Sequence, residues 1–101
     1  MKKLQITIYL NEADRIGELP LHEDVVRKLL HFQIAGATVT RGVMGYGKHV
    51  KVHRQRLFGV SDDHPIVITA VDDEARIRPI LPELKALVIE GLITLHEVEV
   101  P

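Results

Sequence analysis

The chain contains no cysteine. That excludes disulfides and thiolate metal sites, and it permits a reducing compartment. It also lacks a long apolar run. The opening Met1-Lys2-Lys3-Leu4-Gln5-Ile6 is interrupted by polar residues at once, so a signal peptide or a membrane span is not expected and a cytoplasmic protein is. Excess charge is missing too. The formal net charge is −1, which excludes binding to nucleic acid through overall positive charge. Aromatic residues make up only 4% of the chain. A sheet that stacks RNA bases needs aromatic pairs, and Tyr9 stands alone on its strand. No serine elbow, P-loop or dinucleotide fingerprint is present.

What is there suits one globular domain spanning residues 1–101, with 46% apolar and 27% charged residues. Leu4, Ile6, Ile8 and Leu10 alternate with polar neighbours and predict a first strand with one buried face. Asn11 to Gly17 reads as a loop. Pro20 suits the first turn of a helix whose stripe is Leu21, Val25, Leu29 and Phe32, widened by Val26 and Leu30, with Gly36 as its stop. Ala37 to Met44 reads as a second strand. A bulge at Gly42 would turn Arg41 out of the core. Pro65 to Val71 is a third strand, apolar on both faces and therefore central and covered on both sides. Asp72 and Asp73 are placed to cap a helix over Glu74 to Glu90, which Pro79 and Pro82 should bend. Gly91 ends it, and Leu92 to Val100 is the last strand.

The order strand, helix, strand, strand, helix, strand is the ferredoxin-like βαββαβ arrangement. It is an α+β fold with a four-stranded antiparallel sheet, helices on one face, and a long loop between strands two and three. The uncovered face presents Tyr9, Val67 and Val71, an apolar patch that predicts a homo-oligomer.

That long connection, from Met44 to Pro65, is about twenty residues, well beyond ordinary hairpin loops. It opens with Gly45-Tyr46-Gly47-Lys48. Between Arg41 and Val60 there is no acidic residue, but there are five basic ones: Arg41, Lys48, Lys51, Arg54 and Arg56. A cationic loop on a near-neutral protein suits a phosphate or another acidic partner. Its glycines allow backbone N–H groups to approach an anion. The candidate ligand-binding residues are Arg41, Gly42, Gly45, Tyr46, Gly47, Lys48, Arg54 and Arg56.

Together with the strand order and the size, the Gly45-Tyr46-Gly47-Lys48 turn resembles the PII-like signalling proteins, in which a Gly-Phe-Gly-Arg turn starts the T-loop. Three further segments resemble the branch catalogued as domain of unknown function 190. These are Ile6-Thr7-Ile8-Tyr9-Leu10, Ile34-Ala35-Gly36-Ala37-Thr38-Val39-Thr40-Arg41-Gly42, and Leu81-Pro82-Glu83-Leu84 with Glu90-Gly91-Leu92-Ile93-Thr94-Leu95. The resemblance covers nearly the whole chain.

It implies a homotrimer with ligand clefts between subunits, an adenine nucleotide as effector rather than a cofactor, and a T-loop that touches a target such as a membrane transporter or an enzyme. For this branch the suspected targets are fluoride exporters. Gly45, Tyr46, Gly47 and Lys48 fall on the T-loop base that lines the cleft. The chain departs from the PII pattern at Glu90-Gly91-Leu92, where PII proteins carry a phosphate-binding lysine, and the later basic pair has no counterpart before Pro101. Phosphates would then fall to Arg41, Lys48, Arg54 or Arg56, and a monophosphate or another small anion fits as well as ATP. The alternative is an interaction module with no small ligand.

Other chemistry fits less well. His49 and His53 share a helical face only if their segment is helical, and no third metal ligand lies nearby. The paired acids Asp62-Asp63 and Asp72-Asp73-Glu74 are explained by turns and caps. An acylphosphatase, the enzyme of this fold and size, needs a helix-borne asparagine, but the single asparagine, Asn11, follows strand one. No catalytic residue is assigned.

Overall fold

The computed structural model describes residues 2–47 and 63–101. The elements run β1 (Lys3–Asn11), β2 (Arg15–Ile16), β3 (Leu19–Pro20), α1 (Leu21–His31), β4 (Thr38–Arg41), β5 (Pro65–Asp73), α2 (Glu74–Ile77), a 3-10 turn (Arg78–Ile80), α3 (Leu81–Leu87) and β6 (Leu92–Val98). The main sheet has the order β4-β5-β1-β6. All its pairings are antiparallel. This is the ferredoxin-like fold expected from the sequence, with β1 and β5 central.

Alternation decides which face is buried. Leu4, Ile6, Ile8 and Leu10 of β1 pair with Asp72, Ala70, Ile68 and Ile66 of β5, so these residues share one face. Leu21, Val25 and Leu29 of α1 join them in a single core with Ile77, Ile80, Leu84 and Val88. Each Leu or Ile taken fully from water contributes roughly 1.5–3 kcal/mol. Leu30 does not widen the stripe as expected. It points away from the sheet and is 74% exposed.

Several boundaries differ from the sequence reading. The segment after β1 is not all loop: β2 and β3 pair as a two-stranded ribbon around Gly17, whose φ is +60°. α1 stops at His31, five residues short of Gly36. Gln33 takes the left-handed position instead, at φ +60°. Its N–H bonds the Leu30 carbonyl at 2.9 Å, and the Ile34 N–H bonds that of Leu29 at 3.0 Å. This is a Schellman stop, sealed by contact of Ile34 with the core.

β4 is shorter than expected and carries no bulge. Its register runs unbroken from Thr38↔Thr69 to Arg41↔Ile66. Arg41 avoids the core because β4 is an edge strand, exposed along its whole length. The central β5 is covered on one side only; Val67, Thr69 and Val71 stay half-buried on the other. Pro79 and Pro82 do more than bend the second helical segment. They divide it into α2, the 3-10 turn and α3, since each lacks a ladder N–H and crowds the preceding turn. Asp72 does not cap α2. Its carboxylate accepts the N–H of Ala35 at 2.9 Å and of Asp73 at 2.7 Å.

Among the described residues, no helix is long and apolar enough to cross a membrane.

Candidate functional site

The antiparallel register brings four strand ends together. Asn11 at the end of β1 lies opposite Pro65 at the start of β5. Tyr9 lies opposite Leu92 at the start of β6. Arg41, the last residue of β4, lies opposite Ile66. The long connection therefore leaves and re-enters the sheet at the same end where the α3–β6 turn arrives.

A cavity of about 360 Å³ opens at this end. Leu10, Pro65, Ile66 and Leu92 give it an apolar lining. Tyr46 and Gly47 border it from the base of the long connection, and Glu90 and Gly91 from the α3–β6 turn. Gly91 is required by this closeness. A Cβ there would collide with the Tyr9 carbonyl oxygen and meet Val88 Cγ1 at 2.7 Å. Tyr9, Asn11 and Asp14 complete the lining. Among the described lining residues the charged groups are the carboxylates of Asp14 and Glu90, with no lysine or arginine. The Asp14 carboxylate also accepts the Asn11 N–H at 3.0 Å, which fixes the turn after β1.

The sequence-predicted residues separate into three groups. Tyr46 and Gly47 line the cavity. Gly42 and Gly45 lie beside Pro65, and the Gly42 N–H donates to the Pro65 carbonyl at 2.7 Å. Lys48, Arg54 and Arg56 lie outside the described residues. Arg41 does not line the cavity. Its Nε donates to Glu12 Oε1 at 3.1 Å, and its Nη2 lies 3.2 Å from His64 Nδ1. The same His64 nitrogen is 3.3 Å from Glu12 Oε1.

Two hydrogen bonds donated by the backbone of the Glu12–Ala13 turn tie it to residues 63 and 64. The Glu12 N–H bonds the His64 carbonyl at 2.8 Å, and the Ala13 N–H bonds Asp63 Oδ1 at 3.1 Å. Partial desolvation raises the Glu12 carboxyl's pKa, but the Arg41 guanidinium and the His64 ring outweigh it and leave it below the ordinary carboxylate range.

Sequence reasoning missed Tyr9, Asn11 and Asp14 as lining residues, met Glu90 only through the family resemblance, and missed Glu12 and His64 as partners of Arg41. No local pattern marks them. They meet only through strand register. Gly91 carried the one usable signal, an isolated glycine directly before a strand. Among the described residues, no group of three or more His, Asp or Glu side chains is placed to hold a metal.

Chemically, the site offers an apolar slot within the volume range of small-ligand pockets, with acceptor groups for hydroxyl or amino hydrogens.

The family DUF190, described as uncharacterized ACR, COG1993, matches residues 3–100. A UPF0166 protein of Aquifex aeolicus (strain VF5) is 32% identical over 100 residues, covering 99% of this chain and 94% of that relative. The UPF0166 protein MJ1524 of Methanocaldococcus jannaschii is 35% identical over 97 residues, covering 94% of this chain and 88% of that one. Among solved structures, CPII of Thiomonas intermedia K12 superimposes with a TM-score of 0.72 at 22% identity, over 99% of this chain and 89% of that one. CPII is described as a nitrogen regulatory PII-like protein bound to ADP, AMP and bicarbonate. That likeness establishes a shared fold.

Proposed function

This chain belongs to the DUF190 family and has the PII-like fold, and from that premise we propose that it is a regulatory protein whose effector is an adenine nucleotide. The observation that carries the reading is the cavity between Tyr46-Gly47 and Glu90-Gly91, at the base of the connection between β4 and β5. It has an apolar lining for a base and polar groups for a sugar. CPII, with the same fold, was crystallised with ADP and AMP.

In this reading, residues 1–101 act as one cytoplasmic domain that binds rather than catalyses. The protein is a homotrimer, and the neighbouring subunit completes each cleft. The face not covered by helices supports such an assembly: Tyr9 and Leu92 are 43% and 57% exposed, and they stand opposite each other on adjacent strands. Val67 and Val71 extend the patch. The basic segment 45–64 contacts a target such as a membrane transporter or an enzyme.

The test has two parts. Calorimetric titration with adenosine, AMP, ADP and ATP should give saturable binding that Gly91→Val abolishes. Light scattering should give three times the 11.4 kDa chain mass, and Tyr9→Glu with Leu92→Glu should reduce it to one. A folded protein that binds none of the four compounds leaves the alternative, an interaction module without a small-molecule ligand.

A further inference from the structure

The Glu12–Arg41–His64 trio lies outside the cavity lining but on its border. Asn11 and Pro65, which line the cavity, are the chain neighbours of Glu12 and His64. We propose that Arg41 and His64 form a seat for an oxyanion, a phosphate or a carboxylate, and that Glu12 fills this seat until an external anion replaces it.

The geometry is that of a carboxylate standing in for a ligand. One oxygen, Glu12 Oε1, lies 3.1 Å from Arg41 Nε and 3.3 Å from His64 Nδ1. A guanidinium presents its N–H groups in a fixed fork that matches a phosphate or carboxylate edge. Arg41 is reachable, with its side chain 56% exposed. An ion pair this open to water is weak enough to exchange.

The frame does not depend on the Glu12 side chain. The Glu12 N–H to His64 carbonyl bond and the Ala13 N–H to Asp63 bond are made by the backbone of this turn. The carboxylate can therefore swing away while the turn stays joined to residues 63 and 64 and the β4–β5 pairing keeps the Arg41 backbone in place. Residues 41 and 64 also bracket the long connection, so an anion seated between them would sit where that connection joins the sheet.

Two sources supply the same chemistry: a free oxyanion, or the phosphate of a nucleotide in the neighbouring cavity. The seat does not require the nucleotide reading, and the experiment separates them. Binding of inorganic phosphate, AMP and adenosine is measured by calorimetry on the unaltered protein, Glu12→Gln and Arg41→Met, at constant ionic strength. Glu12→Gln should bind phosphate about three- to fivefold tighter, because it removes the internal competitor. Arg41→Met should lose phosphate binding. A Glu12 that served only to hold the turn would lower the melting temperature when replaced and would not tighten an anion.

If AMP gains from Glu12→Gln and adenosine does not, the seat takes the nucleotide's phosphate. If only inorganic phosphate gains, it takes a free oxyanion. If neither nucleotide nor nucleoside binds any of the three proteins, the nucleotide reading falls and the phosphate result alone judges the seat. Unchanged phosphate affinity in Glu12→Gln, or full binding in Arg41→Met, overturns the inference. Should Glu12→Gln not fold, the unaltered protein decides. Phosphate must shift the Arg41 Nε–H resonance where chloride does not, and a resonance that stays in place overturns the seat equally.

Discussion

The Asp72 carboxylate, on the buried face of β5, accepts the backbone N–H of Ala35, 37 residues earlier in the chain, at 2.9 Å. Asp72 is 8% exposed, and its other oxygen accepts the Asp73 N–H. One side chain thus satisfies two backbone donors and ties the exit of α1 to the end of a central strand. Replacing it by alanine leaves both N–H groups without their acceptor. Asp72→Ala should lower the unfolding free energy by about 1.5–3 kcal/mol, and Asp72→Asn, which keeps one acceptor oxygen, by less. Urea denaturation of the two variants checks the order. Equal losses would mean that the carboxylate's charge, rather than its acceptors, matters.

Gly91 admits no side chain. Because the Tyr9 carbonyl lies where its Cβ would be, the backbone of the α3–β6 turn must move for anything larger. Gly91→Ala is expected to cost about 1–3 kcal/mol and to displace the Tyr9–Leu92 pairing. Amide chemical-shift changes confined to residues around 9–11 and 90–93 would confirm the route. A stability equal to the unaltered protein would refute the close approach.

Gln33 sits at φ +60° in a position that glycine fills without strain. Gln33→Gly should therefore stabilise the protein, by roughly 0.5–1 kcal/mol, although glycine generally weakens a helix. Thermal melting reads the sign directly. A lower melting temperature would show that the Gln33 side chain contributes more than its backbone strain costs.

Ionisation defines a pH window for stability. The Arg78 hydrogen bond, against some desolvation and with help from Lys2, holds the Glu74 carboxyl below its ordinary range. The folded state therefore releases this proton more readily than the unfolded chain. Its contribution is present above the ordinary carboxylate pKa and disappears as pH falls through the folded value. Lys3 behaves oppositely. Its hydrogen bond to Asp73, only partly opposed by desolvation, raises it, so its contribution is present below the ordinary lysine range and disappears as pH rises through the folded value. Urea midpoints should be level between about pH 5 and pH 9 and fall on either side. Glu74→Gln should make the acid limb shallower, the depressed Glu12 carboxyl supplying the remainder, and Lys3→Met should flatten the alkaline limb. A variant that leaves its limb unchanged rules out that pair as the cause.

Much of the fold was legible because local patterns carry it. The alternation of Leu4 to Leu10 places β1, and the spacing of Leu21, Val25 and Leu29 places the buried face of α1. That Tyr46 and Gly47 open the long connection was legible as well, since a Gly-Tyr-Gly turn is a local feature; that they border a cavity was not. Leu30 misled because spacing alone does not say how wide a helix's buried stripe is. The neighbouring elements set that width. Asp72 misled because two acids before a helix fit a cap, while Ala35 is distant in sequence.

By itself, the amino-acid order determined the succession of the four strands of the main sheet and the two helical segments, and marked Pro79 and Pro82 as the place where the second segment departs from a regular helix, since periodicity and a missing N–H act within one or two turns of chain. Only the tertiary structure decided that Glu12, Arg41 and His64 would meet, and that Glu90 and Asp14 would share a cavity with Tyr46. Strand register sets those encounters, and register is the outcome of packing a whole sheet face against its helices.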